Sequence, residues 1–377
     1  MSDLTIDRIQ VYVVGPATER YAWADGMAEQ YMSNTILRLT TKGGLEGVAG
    51  AASCTDFMFD KAPAETLRTL LPHVLGASPR AREALWHRLR PLNTPIHGQA
   101  HSLIDIALWD AAAKEAGLPL WQMLGGARPK ILSYASTPML KDTAAYVDFV
   151  AELKRQGFKA IKYHCWCDPA KDLPMVEAVH AEHGHSGIAF MLDVEQRYSR
   201  EQALKAGRVL EELGFRWFEA PFVDFDLEGY AELRSRVDVP ILPAGNWILD
   251  PGLLSVGIEM GCWSSLRVDA TICGGITPTR WIMGLAQSHG MTVELQCWGY
   301  TLTQAANLHL MLAYANCTYF EQPAPYPAFE HGALEVIRTD SEGYVHAPPG
   351  PGLGIRVDWD AVEKDSVLKY EVRSGRP

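Results

Sequence analysis

The chain has 377 residues, 47% hydrophobic and 21% charged, proportions of a folded globular protein with room for two domains. Its 34 basic and 45 acidic residues give a net charge of −11, and no basic run interrupts them, which excludes nucleic acid as a partner. No apolar stretch is long enough to span a bilayer, and the start Met1-Ser-Asp-Leu-Thr5 has acid where a signal peptide needs positive charge.

Seven cysteines at irregular spacing form no secreted disulfide framework, so a cytoplasmic protein with no membrane partner is expected. His164-Cys-Trp-Cys167 has the look of half a metal clip, but no second pair matches it. Its thiols read as partly buried groups near a strand end.

In chain order, Asp7 to Val14 and Thr35 to Thr40 read as strands, and Lys42-Gly43-Gly44 is a hairpin turn leading into Leu45 to Ala51. Helical spacing dominates Ala64 to Met123, until Gly125-Gly126 breaks it. From about Ile131, short apolar runs alternate with amphipathic helices. The predicted strands are Ala160 to Lys162, Ile188 to Val194, Trp217 to Glu219, Ile241-Leu242, Leu266 to Val268, Thr292 to Leu295 and Tyr319 to Glu321. Asp168-Pro169, Asp250-Pro251 and Thr277-Pro278 each place a capping residue before a proline at the first helical position. Ser199 with Gln202 predicts a capping box, and Gly214 a helix stop. Alternating β and α units imply a parallel sheet. An open doubly wound sheet competes with a barrel, but no glycine-rich dinucleotide loop follows the first strand.

These strands end in Lys162, Asp193, Glu219, Asn246, Asp269, Gln296 and Glu321, at separations of 23 to 31 residues. One βα unit has about that length. Polar groups recurring with that period converge, and in a barrel they ring the top face, where active sites lie. Asp193 and Glu219 follow apolar strands, so their carboxylates are desolvated and repel each other, a conflict that a divalent cation with oxygen ligands resolves. Lys162 and His164 are two apart on one strand and share a face, where a metal and a second nitrogen would lower the lysine pKa toward that of a base. A lysine snorkelling from a strand edge, with a core histidine behind it, is the plainer alternative.

At this point the sequence resembles the enolase superfamily, in its mandelate racemase/muconate lactonizing enzyme-like branch. The resemblance rests on Asn34-Thr-Ile-Leu-Arg-Leu-Thr-Thr-Lys-Gly-Gly-Leu-Glu-Gly47, Ala107-Leu-Trp-Asp110, Gly117 to Gly126, Phe218-Glu-Ala-Pro221, Val239-Pro-Ile241, Cys273-Gly-Gly-Ile-Thr277, Ala306-Asn-Leu-His309 and Pro351-Gly-Leu-Gly354. It implies an α/β fold: an α+β capping domain over 1–130, a modified (β/α) TIM-type barrel over 131–345, and a segment over 346–377 returning to the capping domain.

The resemblance further implies Mg²⁺ held by Asp193, Glu219 and, where an acid is usual, Asn246. The uncharged amide would weaken the site unless another acid such as Glu195 helps. It makes Lys162 the base and His164 its altered partner. Asp269 falls where an acid orients a histidine, but that position holds Gln296, which cannot exchange protons. Glu321 falls at the acid that bonds the substrate carboxylate, a donor if protonated. Substrate selection would lie in loops Ala17 to Ser33 and Ala51 to Asp60, with Tyr21, Trp23 and Phe57 as walls, Trp298 facing them and Glu195 near the substrate. The expected function is Mg²⁺-dependent removal of a proton α to a carboxylate, leading to dehydration of a sugar acid. Racemase, epimerase or cycloisomerase activity on a small carboxylate and a non-catalytic carboxylate-binding barrel are the alternatives, and a homo-oligomer of two to eight chains is expected.

Overall fold

The computed structural model describes residues 3–26, 31–55, 60–93 and 98–375. An N-terminal meander of β1 (Ile6–Val14), β2 (Tyr31–Thr41) and β3 (Glu46–Thr55) is antiparallel throughout, and Lys42 to Gly44 make the predicted hairpin turn. The β2–β3 ladder runs out to Tyr31↔Thr55, so Tyr31 to Ser33 and Ala51 to Thr55 are strand, not the loops expected there. Phe57 lies outside the described residues. Among the described residues the predicted helical stretch holds the α-helices Ala62–Leu70, Arg82–Leu89, Gly98–Ala116 and Leu120–Met123, with short 3₁₀ turns between them.

Eight parallel barrel strands follow: β4 (Lys130–Ser136), β5 (Ala160–His164), β6 (Ala189–Asp193), β7 (Trp217–Glu219), β8 (Ile241–Leu242), β9 (Ser265–Val268), β10 (Thr292–Leu295) and β11 (Phe320–Pro323). Ladders join β11-β4-β5-β6-β7-β8 and β9-β10. The β8/β9 seam closes through Ser264 N donating to Ile241 O at 2.9 Å, and the β10/β11 seam through Cys297 N donating to Glu321 Oε2 at 2.9 Å. Each strand from β4 to β10 is followed by a helix, whereas β11 leads only to the turn Tyr326–Phe329, giving a (β/α)₇β barrel. Then β12 (Tyr344–His346) pairs with β4, and β13 (Ser366–Arg373) crosses back to pair antiparallel with β1.

The helix Gly98–Ala116 joins the two parts, and because both sides of it are covered it is buried almost all round. Asp105 accepts from Thr277 N (2.9 Å) and Thr277 Oγ1 (2.7 Å). Thr277 is therefore a docking residue rather than the predicted cap, and Gly275 occupies the N-cap position of helix Ile276–Ser288. Gly275 has φ +109° and a Cβ there would collide with Asp105, which gives the Gly-Gly-Ile-Thr run its physical reason. One turn on, buried Asp110 accepts from Val48 N (2.8 Å), Leu353 N (2.7 Å) and Lys114 Nζ (2.6 Å). One carboxylate thus fastens β3, the interdomain helix and the returning C-terminal segment. Asp110→Ala is expected to leave two buried N–H groups unpaired and to cost about 2–4 kcal/mol, read as a lowered urea midpoint.

Candidate active site

Alternate residues on a barrel strand point inward. Tyr134, Ala160, Met191, Trp217 and Leu242 pack together as an apolar floor. Two residues further along their strands stand Lys162, Asp193 and Glu219. Above this layer opens a cavity of about 320 Å³, lined by Lys162, His164, Asp193, Glu195, Glu219, Asn246, Arg267, Asp269 and Gln296, with Trp23, Ala52 and Trp298 at its side. Glu321 is fully buried just beneath it. A larger cavity of about 450 Å³ lies between the helix Arg82–Leu89 and the Cys273-Gly274 loop, but its charged groups Arg90 and Asp250 are paired to each other at 2.5 Å.

The Lys162 ammonium, 1% exposed, touches three carboxylates: Glu219 Oε1 at 2.7 Å, Glu321 Oε1 at 3.0 Å and Asp193 Oδ2 at 3.1 Å. An ammonium has three N–H donors, and here each has an anionic neighbour. Burial and the nearby Arg267 push its pKa down, but Glu219, Glu321 and Asp193 together push it further up, to a net rise above the ordinary lysine value. The direction is opposite to the lowering expected from the sequence, which included the charge of a bound metal ion.

Arg267, which the sequence reading passed over, is the second buried cation. Its Nη2 donates to both Glu321 oxygens at 3.0 Å, and its Nε lies 2.7 Å from Glu219 Oε1, close in charge though not aligned for a hydrogen bond. A charged residue midway along a four-residue apolar strand, two before Asp269, was the available signal. Burial raises the Glu321 pKa, but Arg267 and Lys162 overcome this and hold it at about 2. The two buried cations thus favour the Glu321 carboxylate over the protonated donor expected from the sequence. Burial pushes the Glu219 pKa up, against the pull of Arg267 and Lys162. Both its oxygens are engaged, since Oε2 accepts from Trp217 Nε1 at 2.9 Å.

His164, 2% exposed, closes the other side of Asp193. Its Nδ1 lies 2.6 Å from the Thr137 carbonyl oxygen, and its Nε2 stands 3.3 Å from Asp193 Oδ2 and 3.2 Å from Glu195 Oε1. Burial disfavours the imidazolium, but the two carboxylates raise its pKa to about 10. They call for a cation between them. Cys167, Glu195, Gln196 and Ala220, in the loops after β5, β6 and β7, hold positive φ (+48° to +62°) without being glycine. Such strain gathers at functional sites. Cys165 and Cys167 direct their thiols to backbone carbonyls and form no clip.

Across the cavity, Asp269 Oδ1 accepts from Thr271 N (2.7 Å), Thr271 Oγ1 (2.9 Å) and Asn307 Nδ2 (2.7 Å), and no hydrogen bond among the described residues reaches Oδ2. Burial raises its pKa to about 6. Gln296 does not pair with Asp269. Its Nε2 donates to Ala244 O (2.8 Å), Gly245 O (3.1 Å) and Asn246 Oδ1 (3.0 Å), pinning the loop after β8. Trp298 donates to Ser136 Oγ at 2.9 Å and meets Trp23 edge-on at 4.6 Å, so one capping-domain aromatic does reach the site. Tyr21 is half-buried and does not line the cavity, and its hydroxyl bonds to Glu19 instead.

Carboxylates and an imidazole gathered at the mouth of a (β/α)₇β barrel, under a capping domain, define a metal-assisted barrel enzyme, and their donor chemistry fits a divalent cation. The family model described as mandelate racemase / muconate lactonizing enzyme, N-terminal domain, matches residues 8–125, and that described as enolase C-terminal domain-like matches 145–361. The chain belongs to the enolase superfamily, in its mandelate racemase/muconate lactonizing enzyme-like branch.

D-galactarolactone cycloisomerase of Agrobacterium fabrum is 30% identical over 307 residues, 77% of this chain and 81% of its own. A crystal structure from Pseudovibrio sp., classed with the mandelate racemase/muconate lactonizing enzymes, is 43% identical with a TM-score of 0.96, covering 98% of this chain and 99% of the other. D-glucarate dehydratase from Agrobacterium tumefaciens, solved with magnesium, is 27% identical with a TM-score of 0.84, covering 97% and 100%. Sugar-acid dehydratases, racemases and cycloisomerases all occur among the relatives, and Mg²⁺ is the cofactor of the superfamily. Among the described residues no helix is long and apolar enough to cross a membrane.

The ion-pair geometry generates a stability prediction. Lys162→Ala would leave three buried carboxylates short of a cation, and is expected to cost about 3–5 kcal/mol in urea unfolding. A loss under about 1 kcal/mol would mean that the three acids do not depend on the lysine.

Proposed function

We propose that the protein removes the proton α to the carboxylate of a small polyhydroxy acid and expels the β-hydroxyl as water. The observation that carries this reading is Asp269, the cavity acid with one oxygen held by three neutral donors and the other left unbonded. With a pKa of about 6 it is ionised at neutral pH and still basic enough to accept a proton. Lys162, by contrast, has its ammonium turned to three carboxylates.

The Asp269 carboxylate takes the α-proton, and the C–H electron pair moves into the substrate carboxyl group. That pair then expels the β-hydroxyl, which leaves as water with the proton returned from Asp269. The enol product tautomerises to a 2-oxo-3-deoxy acid. Mg²⁺, when bound, supplies positive charge beside the substrate carboxylate. Asp193 is the residue best placed to hold it. Trp23 and Trp298 wall the cavity, whose volume of about 320 Å³ suits a small acid.

One proton-carrying side chain suffices for this elimination, whereas racemisation needs one on each face, and Gln296 supplies none. Cycloisomerisation shares the one-base requirement and is the second reading, supported by the Agrobacterium fabrum relative.

Incubation with sugar acids and Mg²⁺ in deuterated water tests both. A 2-oxo-3-deoxy product supports dehydration, a lactone-derived product supports cycloisomerisation, and no α-exchange on any acid supports a binding-only barrel. Asp269→Asn is expected to cut exchange about 10²–10⁴-fold, and Gln296→Ala considerably less. Because the base is the ionised form, kcat/KM should rise as pH climbs through about 6. A profile flat from pH 5 to 7 would place the base elsewhere.

A further inference from the structure

Asp269, at the end of β9, lines the cavity with one oxygen held and the other unbonded. Gln296, at the end of β10, is turned away from it to the β8 loop. The shortest side-chain contact on the carboxylate comes instead from Asn307, fully buried in the helix Thr301–Ala313 that follows β10.

We infer that Asn307 is the positioning residue of Asp269, holding its carboxylate by one oxygen so that the other is presented to the cavity. The inference rests on the reading of Asp269 as the base and names the residue that makes it one.

Three observations support it. First, the amide can sit only one way round. Its Oδ1 accepts from Ala270 N at 2.9 Å, which leaves Nδ2 to donate to Asp269 Oδ1 at 2.7 Å and to Thr303 O at 3.3 Å. Exchanging the two ends would set N–H against N–H and oxygen against carboxylate. One side chain thus grips both the carboxylate and the backbone just after it.

Second, Asn307 is itself held in place. One turn before it, Thr303 Oγ1 donates to Gly50 O of β3 at 3.2 Å. Two residues after it, His309 Nδ1 accepts from Trp121 N at 3.1 Å, and its Nε2 lies 3.0 Å from Leu353 O. A helix tied to the capping domain and to the C-terminal segment gives the amide a fixed origin.

Third, the contact acts on the charge of the base. Burial raises the Asp269 pKa to about 6, and Asn307 is foremost among the groups that restrain the rise, ahead of Thr271. Glu321 faces Asp269 from β11, Cys297 from the loop after β10 and Cys273 from its own loop. The cations beside Glu321 favour its carboxylate, and burial raises both thiol pKa values, so none of these three changes charge near pH 6. An N–H donated to a carboxylate favours the ionised form. Without it the pKa rises, and because the base works ionised, kcat/KM should begin its climb at higher pH.

The test uses the full-length protein with carboxyl-¹³C-labelled aspartate, the Asp269 signal being the one absent from Asp269→Asn. In Asn307→Leu its titration midpoint is expected to rise by at least about one pH unit. The loss in kcat/KM on a sugar acid should then be about tenfold greater at pH 5 than at pH 8. Asn307→Asp keeps an acceptor for Ala270 N and sets a second carboxyl against Asp269, so the upper midpoint of that pair should rise at least as far. In the wild-type protein, a ¹⁵N-labelled Asn307 side-chain N–H should shift with the Asp269 midpoint.

An Asp269 midpoint unmoved in a folded variant would overturn the inference, whatever the kinetics. So would a wild-type Asn307 N–H that ignores the Asp269 titration, whether or not the variants fold. A raised midpoint that kcat/KM does not follow would sustain the Asn307 contact and count against Asp269 as the base.

Discussion

A buried ammonium among three carboxylates governs the mouth of this barrel. Desolvating Lys162, Asp193, Glu219 and Glu321 together is tolerable only because each charge has opposite neighbours within about 3 Å. One cation against three acids is still an imbalance, and Arg267 corrects it from the far side by pairing with Glu219 and Glu321. The consequences spread from there. Arg267 and Lys162 hold Glu321 ionised below the cavity, and Glu219 lines the cavity with its Oε1 shared between the two cations. His164 and Glu195 on one side and Asp269 on the other are the cavity groups that lie outside those contacts.

The capping domain completes that arrangement from above. Its interdomain helix is held to the barrel by Asp105 on Thr277 and to β3 and the C-terminal segment by Asp110 on two backbone N–H groups, while Trp86 Nε1, on the helix Arg82–Leu89, donates to Gly274 O. These contacts are buried and directional, so the cap is fixed rather than loosely tethered. Rigid docking matters for recognition, because it carries Trp23 and Ala52 to the cavity rim against Trp298. The cavity wall is thus shared by two domains, with aromatic surface from each.

Much of this was legible in the sequence. The βα period and the polar residue at each strand end predicted the barrel and collected six of seven strand-end residues at one cavity, with Glu321 just below. Periodicity fixes which face a side chain takes. It does not fix how far the side chain reaches, so the three-way contact at Lys162 and the direction of its pKa shift were out of view. Arg267 was hidden differently. It sits inside a strand read for its apolar pattern, although its inward orientation follows from the same two-residue step that placed Asp269. Thr277 misled because a Thr-Pro pair at a helix start satisfies the capping pattern equally well when the threonine serves a distant carboxylate. Tyr21 was placed at the site by its position in a capping loop, and nothing in the sequence could tell whether that loop turned its ring inward.

The departures from the family pattern are coupled rather than independent. A neutral side chain at Asn246 removes a negative charge beside β8, and Arg267 adds a positive one on the neighbouring β9, so this side of the barrel is depleted of acid twice over. Charge is recovered on the other side, where Glu195 turns back on a left-handed backbone (φ +49°) toward Asp193 and His164. Gln296 fits the same shift. It no longer sits over Asp269 but pins the β8 loop through three acceptors, a task for an amide and not for a proton carrier. With Gln296 withdrawn, Asp269 has no polar partner above it and keeps one oxygen unbonded. Acidic side chains thus gather toward β5 and β6, while Asp269 at the end of β9 keeps one oxygen open to the cavity.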